Sequence, residues 1–422
     1  MDCGEEGDMK IQLKEYLVRS ERFLASVRDL ASIGATAGGG VHRLALSPDD
    51  IRARKQMVEW MEEAGLTVSV DDMGNLYGLR PGRNPGPPIL FGSHVDTVPF
   101  GGRFDGAYGV LAGLEVMRVL HEHGVETEHP LGLAIFTNEE GARFQPAMMG
   151  SSVAVGKWPV EEAYAVRDQE GIAFGDALQA SGFLGERRNR ISRPLCYVEL
   201  HIEQGPVLEA AGKTIGIVQG IVAQSWHEVV LEGEANHAGT TPPSRRRDPL
   251  VAAARWIAYV HEMAESSEGA LLVTCGRIAA EPGAVNVIPR KVAFTVDLRS
   301  ADEVRLRKAE EQMFAWGDDL CRRAGVEKAV RRLHWAPYTP FASGIRELIR
   351  ESCLRRGYTF LEMPSGAGHD AQHLAGVCET GMIFVPSREG KSHCEEEFSA
   401  DGDLVKGAQV LLDTVLGLDR TR

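Results

Sequence analysis

Three histidines and several acids of this chain stand where apolar runs end or glycine-rich turns begin. In Gly92-Ser93-His94-Val95-Asp96-Thr97-Val98-Pro99 a histidine closes an apolar run. The aspartate two residues on can bond the second imidazole nitrogen and fix the tautomer, as a metal-bound histidine requires. Gly101-Gly102-Arg103-Phe104-Asp105-Gly106 is a turn whose aspartate can bridge two cations. Asn138-Glu139-Glu140-Gly141 places adjacent carboxylates at a second run's end, where one can face a metal and the other a water. Glu199-Leu200-His201-Ile202-Glu203-Gln204-Gly205-Pro206 and Ser392-His393 each add one imidazole. Taken singly, such features are more often ordinary polar loop residues, turns or solvated acids. Taken together they suit hydrolysis by a metal-activated water, with a carboxylate shuttling the proton.

Convergence of these groups requires one sheet whose strands end at one edge. Ile89–Ser93 follows the turn-rich Pro81–Pro88 and reads as a buried strand, as does Leu131–Thr137. Between them Val110, Leu114 and Met117 recur at helical spacing, giving β-α-β and a mostly parallel sheet flanked by helices, with ligands at its carboxyl edge. The charged, glycine-bearing stretch 157–193 reads as surface helices and loop. From about 212 to 329 the pattern becomes α+β. Strand-like runs lie at 215–218, 229–231, 271–275 and 292–298, with a helix from about 301 to 323. Another helix starts at Asp248 as N-cap and Pro249 as first residue, with Leu250, Ala254, Ile257 and Ala264 on one face. In 292–298 Val292, Phe294, Val296 and Leu298 alternate with polar or small residues, so Arg299 points away from the helices. The organisation expected is an α/β catalytic domain, 1–211 and 330–422, carrying an inserted lid or dimerisation domain, 212–329.

A chain of 422 residues exceeds what one core supports, consistent with two domains. A net charge of −14 without a basic stripe argues against nucleic acid or an anionic membrane and for a small-molecule partner. The acidic start Met1–Lys10 lacks signal-peptide features, and no run reaches a bilayer-spanning length. Seven scattered cysteines without C-x-x-C fit a reducing compartment, so a cytoplasmic location is expected.

The segments GSHVDTVPFGGRFDG, NEEGARF, HIEQGPVLE, GEANHAGTTP, VNVIP, DLR, SGAGHDA and MIFVPSREGKSH, in this order, resemble the hydantoinase/carbamoylase branch of the M20-type binuclear-metal peptidase and amidase superfamily. That branch comprises N-carbamoyl-L-amino-acid hydrolases, allantoate amidohydrolases and β-ureidopropionases. HIEQGP is its mark, since the peptidase branches usually carry a carboxylate where His201 stands. The resemblance implies two divalent ions, His94 and His201 on one, Glu140 and His393 on the other, and Asp105 bridging. It implies Glu139 as general base and His237 as donor to the carbonyl oxygen. Gln204, Asn286, Arg299, Ser365, Gly366 and His369 are implied on the substrate side, with a homodimer formed through the lid. Pro243 and Phe100 depart from the family's usual residues and bear on substrate shape, as does Tyr108. The ligand set suits zinc or manganese, with cobalt and nickel also compatible. The expected activity is hydrolysis of a ureido acid, an N-carbamoyl-L-amino acid or allantoate, to ammonia and carbon dioxide. An exopeptidase or N-acyl amino acid deacylase is the alternative on the same scaffold, and a metal-free dimeric binding protein the alternative of another class.

Overall fold

The computed structural model describes residues 16–422; Met1–Lys10, read above for targeting features, and Cys3 lie outside them. The strands along the chain are β1 (Thr67–Val70), β2 (Leu76–Arg80), β3 (Ile89–His94), β4 (Leu131–Phe136), β5 (Cys196–Ile202), β6 (Ile215–Ile221), β7 (Ala223–Glu232), β8 (Asn236–His237), β9 (Leu272–Thr274), β10 (Ile278–Glu281), β11 (Val287–Ile288), β12 (Lys291–Ser300), β13 (Glu327–Ala336), β14 (Thr339–Pro340), β15 (Phe360–Ser365) and β16 (Glu379–Val385). The chain divides into Gly220–Thr339 and a larger unit that runs to Gln219 and resumes at Pro340.

The larger unit is built on a mixed sheet of order β1-β2-β4-β3-β5-β16-β6-β14, with β15 on β6. Its centre is parallel, β4 on β3, β3 on β5 and β5 on β16, and its flanks are antiparallel. Every residue of β3, β4 and β5 is buried, as expected of strands covered on both faces. Helix Ala107–Glu122 packs on β3 and is itself covered by helices Ser20–Ala31 and Asp401–Thr421. Its whole stretch from Ala107 to Met117 is therefore buried, beyond the single face seen in the periodicity. Glu115 is tolerated there because Arg22 meets its two oxygens at 2.8 Å each. Gly109 lets the helix approach β5, where a Cβ would lie 2.1 Å from the Leu200 carbonyl oxygen. Tyr108, expected to bear on substrate shape, is instead fully buried and donates to the Leu404 carbonyl at 2.9 Å, so it is a core residue.

The smaller unit has an antiparallel sheet of order β10-β12-β7-β13, with β9 also on β12, and a separate β8–β11 ribbon. Helices Pro249–Glu265 and Glu303–Ala324 cover one face, capped by Asp248 and Asp302 respectively. Along β12, Val292, Phe294, Val296 and Leu298 are buried, while Ala293, Thr295, Asp297 and Arg299 are partly exposed. On Pro249–Glu265 the buried face is Ala252, Ala253, Trp256 and Val260, and Leu250 is exposed. This corrects the face read from sequence. Trp256 is the largest fully buried side chain among the described residues; its indole packs edge-on to Phe294 and fits over Gly317, where a Cβ would lie 2.1 Å from the ring. The unit also continues past residue 329, because β13 pairs along β7. Among the described residues no helix is long and apolar enough to cross a membrane.

Candidate functional site

The parallel centre delivers the acids and imidazoles. His94 ends β3, Asn138-Glu139-Glu140 follows β4, and His201 lies one residue before the end of β5. Asp105 sits in the turn leading through Gly106, φ 63°, into helix Ala107–Glu122, and His393, φ 57°, in the loop after β16. Asp105 Oδ1 lies 3.6 Å from His94 Nε2 and 3.1 Å from His201 Nε2, while Oδ2 lies 3.2 Å from His393 Nε2. Glu140 Oε2 is 3.4 Å from His393 Nε2, and Glu139 Oε2 is 3.5 Å from His94 Nε2, so the adjacent acids diverge. Two donor groups result, His94-Asp105-His201 and Asp105-Glu140-His393, sharing Asp105.

Backbone carbonyls set the tautomers. His94 Nδ1 lies 2.9 Å from the Asp96 carbonyl oxygen and His201 Nδ1 2.8 Å from that of Ile202. A carbonyl only accepts, so each Nδ1 carries a proton, and in the neutral ring Nε2 is the atom that holds the lone pair a cation would take. The Gly106 N–H, donating to His201 Nε2 at 3.1 Å, agrees with this. The Asp96 carboxylate was expected on His94 Nδ1; the main-chain oxygen takes that place. Its Oδ1 and Oδ2 instead accept from Glu139 N and Glu140 N, each at 3.3 Å. With Asn138 at φ 57° and its amide donating to Phe144 O, the turn carrying both glutamates is held from beneath. Asp96→Ala should therefore lower kcat by about 10²-fold through misplacement of Glu139, with KM little changed. Steady-state kinetics check this, and an unaltered kcat would show the turn to be self-supporting.

Glu397 performs the matching task under Asp105. Its Oε1 accepts from Phe104 N at 2.9 Å and Asp105 N at 3.2 Å, and its Oε2 from Ser392 Oγ at 2.7 Å. Sequence reading gave Glu397 no role; its only signal is its place four residues after His393 in an acidic run. Glu199, also unassigned, accepts from Ser93 Oγ and Ala371 N and lies close to His201 and His369.

Burial governs the charges. It pushes Glu139 and Asp370 well above the usual carboxylate range, Glu140 up to about 8 and Glu397 to about 7. Asp105 is buried too, but its close contacts with the imidazoles of His201, His393 and His94 outweigh burial and hold it well below that range. His393, bonded to Asp105, rises to about 9. The buried acids outnumber the imidazoles among them, and an imidazole-carboxylate donor set without thiolate fits divalent cations.

Of the residues expected on the substrate side, Gln204, φ 57°, sits within the cluster. Its Nε2 is 2.9 Å from Asp105 Oδ2 and 3.4 Å from His393 Nε2, and its Oε1 is buried with no hydrogen-bond partner among the described residues. His369 is buried with its ring 4.5 Å from that of His201, and its Nε2 bonds Ser365 Oγ at 3.1 Å. Burial and the neighbouring His201 hold His369 well below the usual histidine range. Gly366 is exposed. Phe100, φ 53°, is 59% exposed with its ring edge-on to His42, and Pro243 opens an exposed 3₁₀ turn. In the smaller unit His237 pairs with Val287, and the Asn286 carbonyl accepts from Ala238 N at 3.0 Å, so Asn286 adjoins the His237 turn. Arg299 lies on the row of β12 away from the helices, paired with Asp297 at 2.8 Å.

A helix-flanked, mostly parallel sheet with this acid-imidazole cluster at its carboxyl edge defines a class of hydrolases. The chain belongs to it: the profile of the peptidase family M20/M25/M40 matches residues 90–417. Within that family it is 40% identical over 410 residues to an N-carbamoyl-L-amino acid amidohydrolase of Geobacillus stearothermophilus, covering 94% of this chain and 98% of the relative. It is 37% identical over 398 residues to the allantoate amidohydrolase of Bacillus subtilis, covering 92% and 95%. A hydantoinase/carbamoylase family amidase from Burkholderia multivorans superposes with a TM-score of 0.90 at 41% identity, covering 96% of this chain and 98% of that one.

Proposed function

We propose that the protein hydrolyses the C–N bond of a ureido acid, an N-carbamoyl-L-amino acid or allantoate, at a site holding two divalent ions, zinc or manganese. The observation that carries this is Asp105, whose two oxygens face two different sets of imidazole and carboxylate. In this reading His94 and His201 serve one ion, Glu140 and His393 the other, and Asp105 both. Such ions lower a water's pKa from about 15.7 to near 7 and polarise a carbonyl.

The chain's own groups do the rest. Glu139 takes a proton from the attacking water and returns it to the departing nitrogen. His237 donates to the carbonyl oxygen as charge develops there, a contribution of about 2.7–4 kcal/mol for comparable donors. Asn286, Gln204, Ser365, Gly366 and His369 bind and orient the substrate. Arg299 binds its carboxylate, competing with Asp297, which engages the same guanidinium. Free Cys196, Cys275, Cys321, Cys353, Cys378 and Cys394 support a cytoplasmic setting, and a homodimer through the smaller unit is part of the proposal.

Kinetics on allantoate, N-carbamoyl-L-amino acids, N-acyl amino acids and dipeptides test the reading; ureido compounds should be turned over fastest, and preference for dipeptides or acyl amino acids would overturn it. Arg299→Ala should weaken carboxylate-bearing substrates by about 10–100-fold relative to their amides, as loss of a charge-assisted pair predicts. Equal losses for acid and amide would remove the clamp.

A further inference from the structure

His237 is exposed on β8, yet its ring is enclosed on one side by its own following turn. Gly239 N and Thr240 N both donate to His237 Nδ1, at 3.0 and 3.3 Å. A backbone N–H can only donate, so Nδ1 must present its lone pair and the neutral ring must carry its proton on Nε2. This is the reverse of His94 and His201, whose Nδ1 atoms face carbonyls. Two of the chain's histidines are thus set to offer a lone pair at Nε2, and His237 to offer a hydrogen.

The turn that imposes this tautomer is clamped from one place. Arg246 Nε donates to Thr241 O at 3.0 Å and its NH2 to Ala238 O at 2.7 Å, so one guanidinium ties the two ends of the Ala238–Thr241 turn. Thr241 closes it further, its Oγ1 donating to His237 O at 2.7 Å. Gly239 permits the approach, since a Cβ there would lie 3.3 Å from the ring. Arg246 is half-buried in the Arg245-Arg246-Arg247 run, whereas Arg245 and Arg247 are exposed.

We infer that Arg246 is a positioning residue that fixes His237 as the Nε2–H tautomer, a neutral hydrogen-bond donor. The inference rests on the proposed function only for what that donor serves. Its own content is tested on the full-length protein by long-range ¹⁵N–¹H correlation spectra of the histidine rings under alkaline conditions, with the His237 signals assigned by their loss in His237→Gln. The wild type should show Nε2 protonated and Nδ1 bare. Arg246→Ala should move both nitrogens toward the averaged values of a free imidazole and lower kcat about tenfold with KM within about twofold, a partial loss of the 10²–10³ that a whole donor contributes. Arg246→Lys, unable to span both carbonyls, should fall between, and Arg245→Ala should change neither readout. A proton on Nδ1 in the wild type, or an unchanged His237 spectrum in Arg246→Ala, overturns the inference. If His237→Gln retains full kcat while the spectra behave as expected, the tautomer assignment stands and the oxyanion role of His237 fails instead.

Discussion

Glu139→Gln should lower kcat by about 10²–10⁴-fold while the protein keeps its full complement of divalent metal. The amide preserves shape and keeps the backbone bond to Asp96 Oδ1, so the turn survives. What it cannot do is accept a proton from water and deliver it to the leaving nitrogen. Because Glu139 faces His94 while Glu140 faces His393, the two neighbours can be separated by experiment. Metal analysis beside steady-state kinetics makes the check, and near-normal turnover in Glu139→Gln would remove it as the base.

Asp105→Ala should release both ions, with a loss of retention well beyond the roughly 10–100-fold that removing a supporting residue costs. One Asp105 oxygen faces each donor group, so a single truncation opens both, and the exposed His393 is left with Glu140 alone. Glu140→Ala touches one group only and should leave about half the metal. Dialysis followed by metal analysis distinguishes them. Equal metal content in the two variants would mean that Asp105 serves one ion and is no bridge.

Most of this cluster was legible in the sequence because His94, Glu139, Glu140 and His201 end or follow short apolar runs, which a parallel sheet gathers at one edge, while Asp105 sits in a glycine-rich turn. Those signals and the motif resemblance mark His94, Asp105, Glu139, Glu140, His201 and His393, and the structure brings them together. The uses of Asp96 and Glu397 could not. Each binds two successive backbone N–H groups of a segment distant in sequence, a contact with no local periodicity. The local pattern also misled where tertiary cover decides. Tyr108 looked like part of the site turn but points into the core, and the helix from Pro249 turns Trp256 inward in preference to the row of smaller residues. Strand β13 carries no alternation in the sequence because most of its residues are exposed, on a sheet with one open face.

The proposed chemistry turns on a pair of ions sharing one aspartate. Crystals grown with zinc or manganese, measured at the metal's absorption edge, should give two anomalous peaks, one beside Asp105 Oδ1 with His94 and His201, the other beside Oδ2 with Glu140 and His393. A single peak, or peaks whose ligands exclude Asp105, would contradict it.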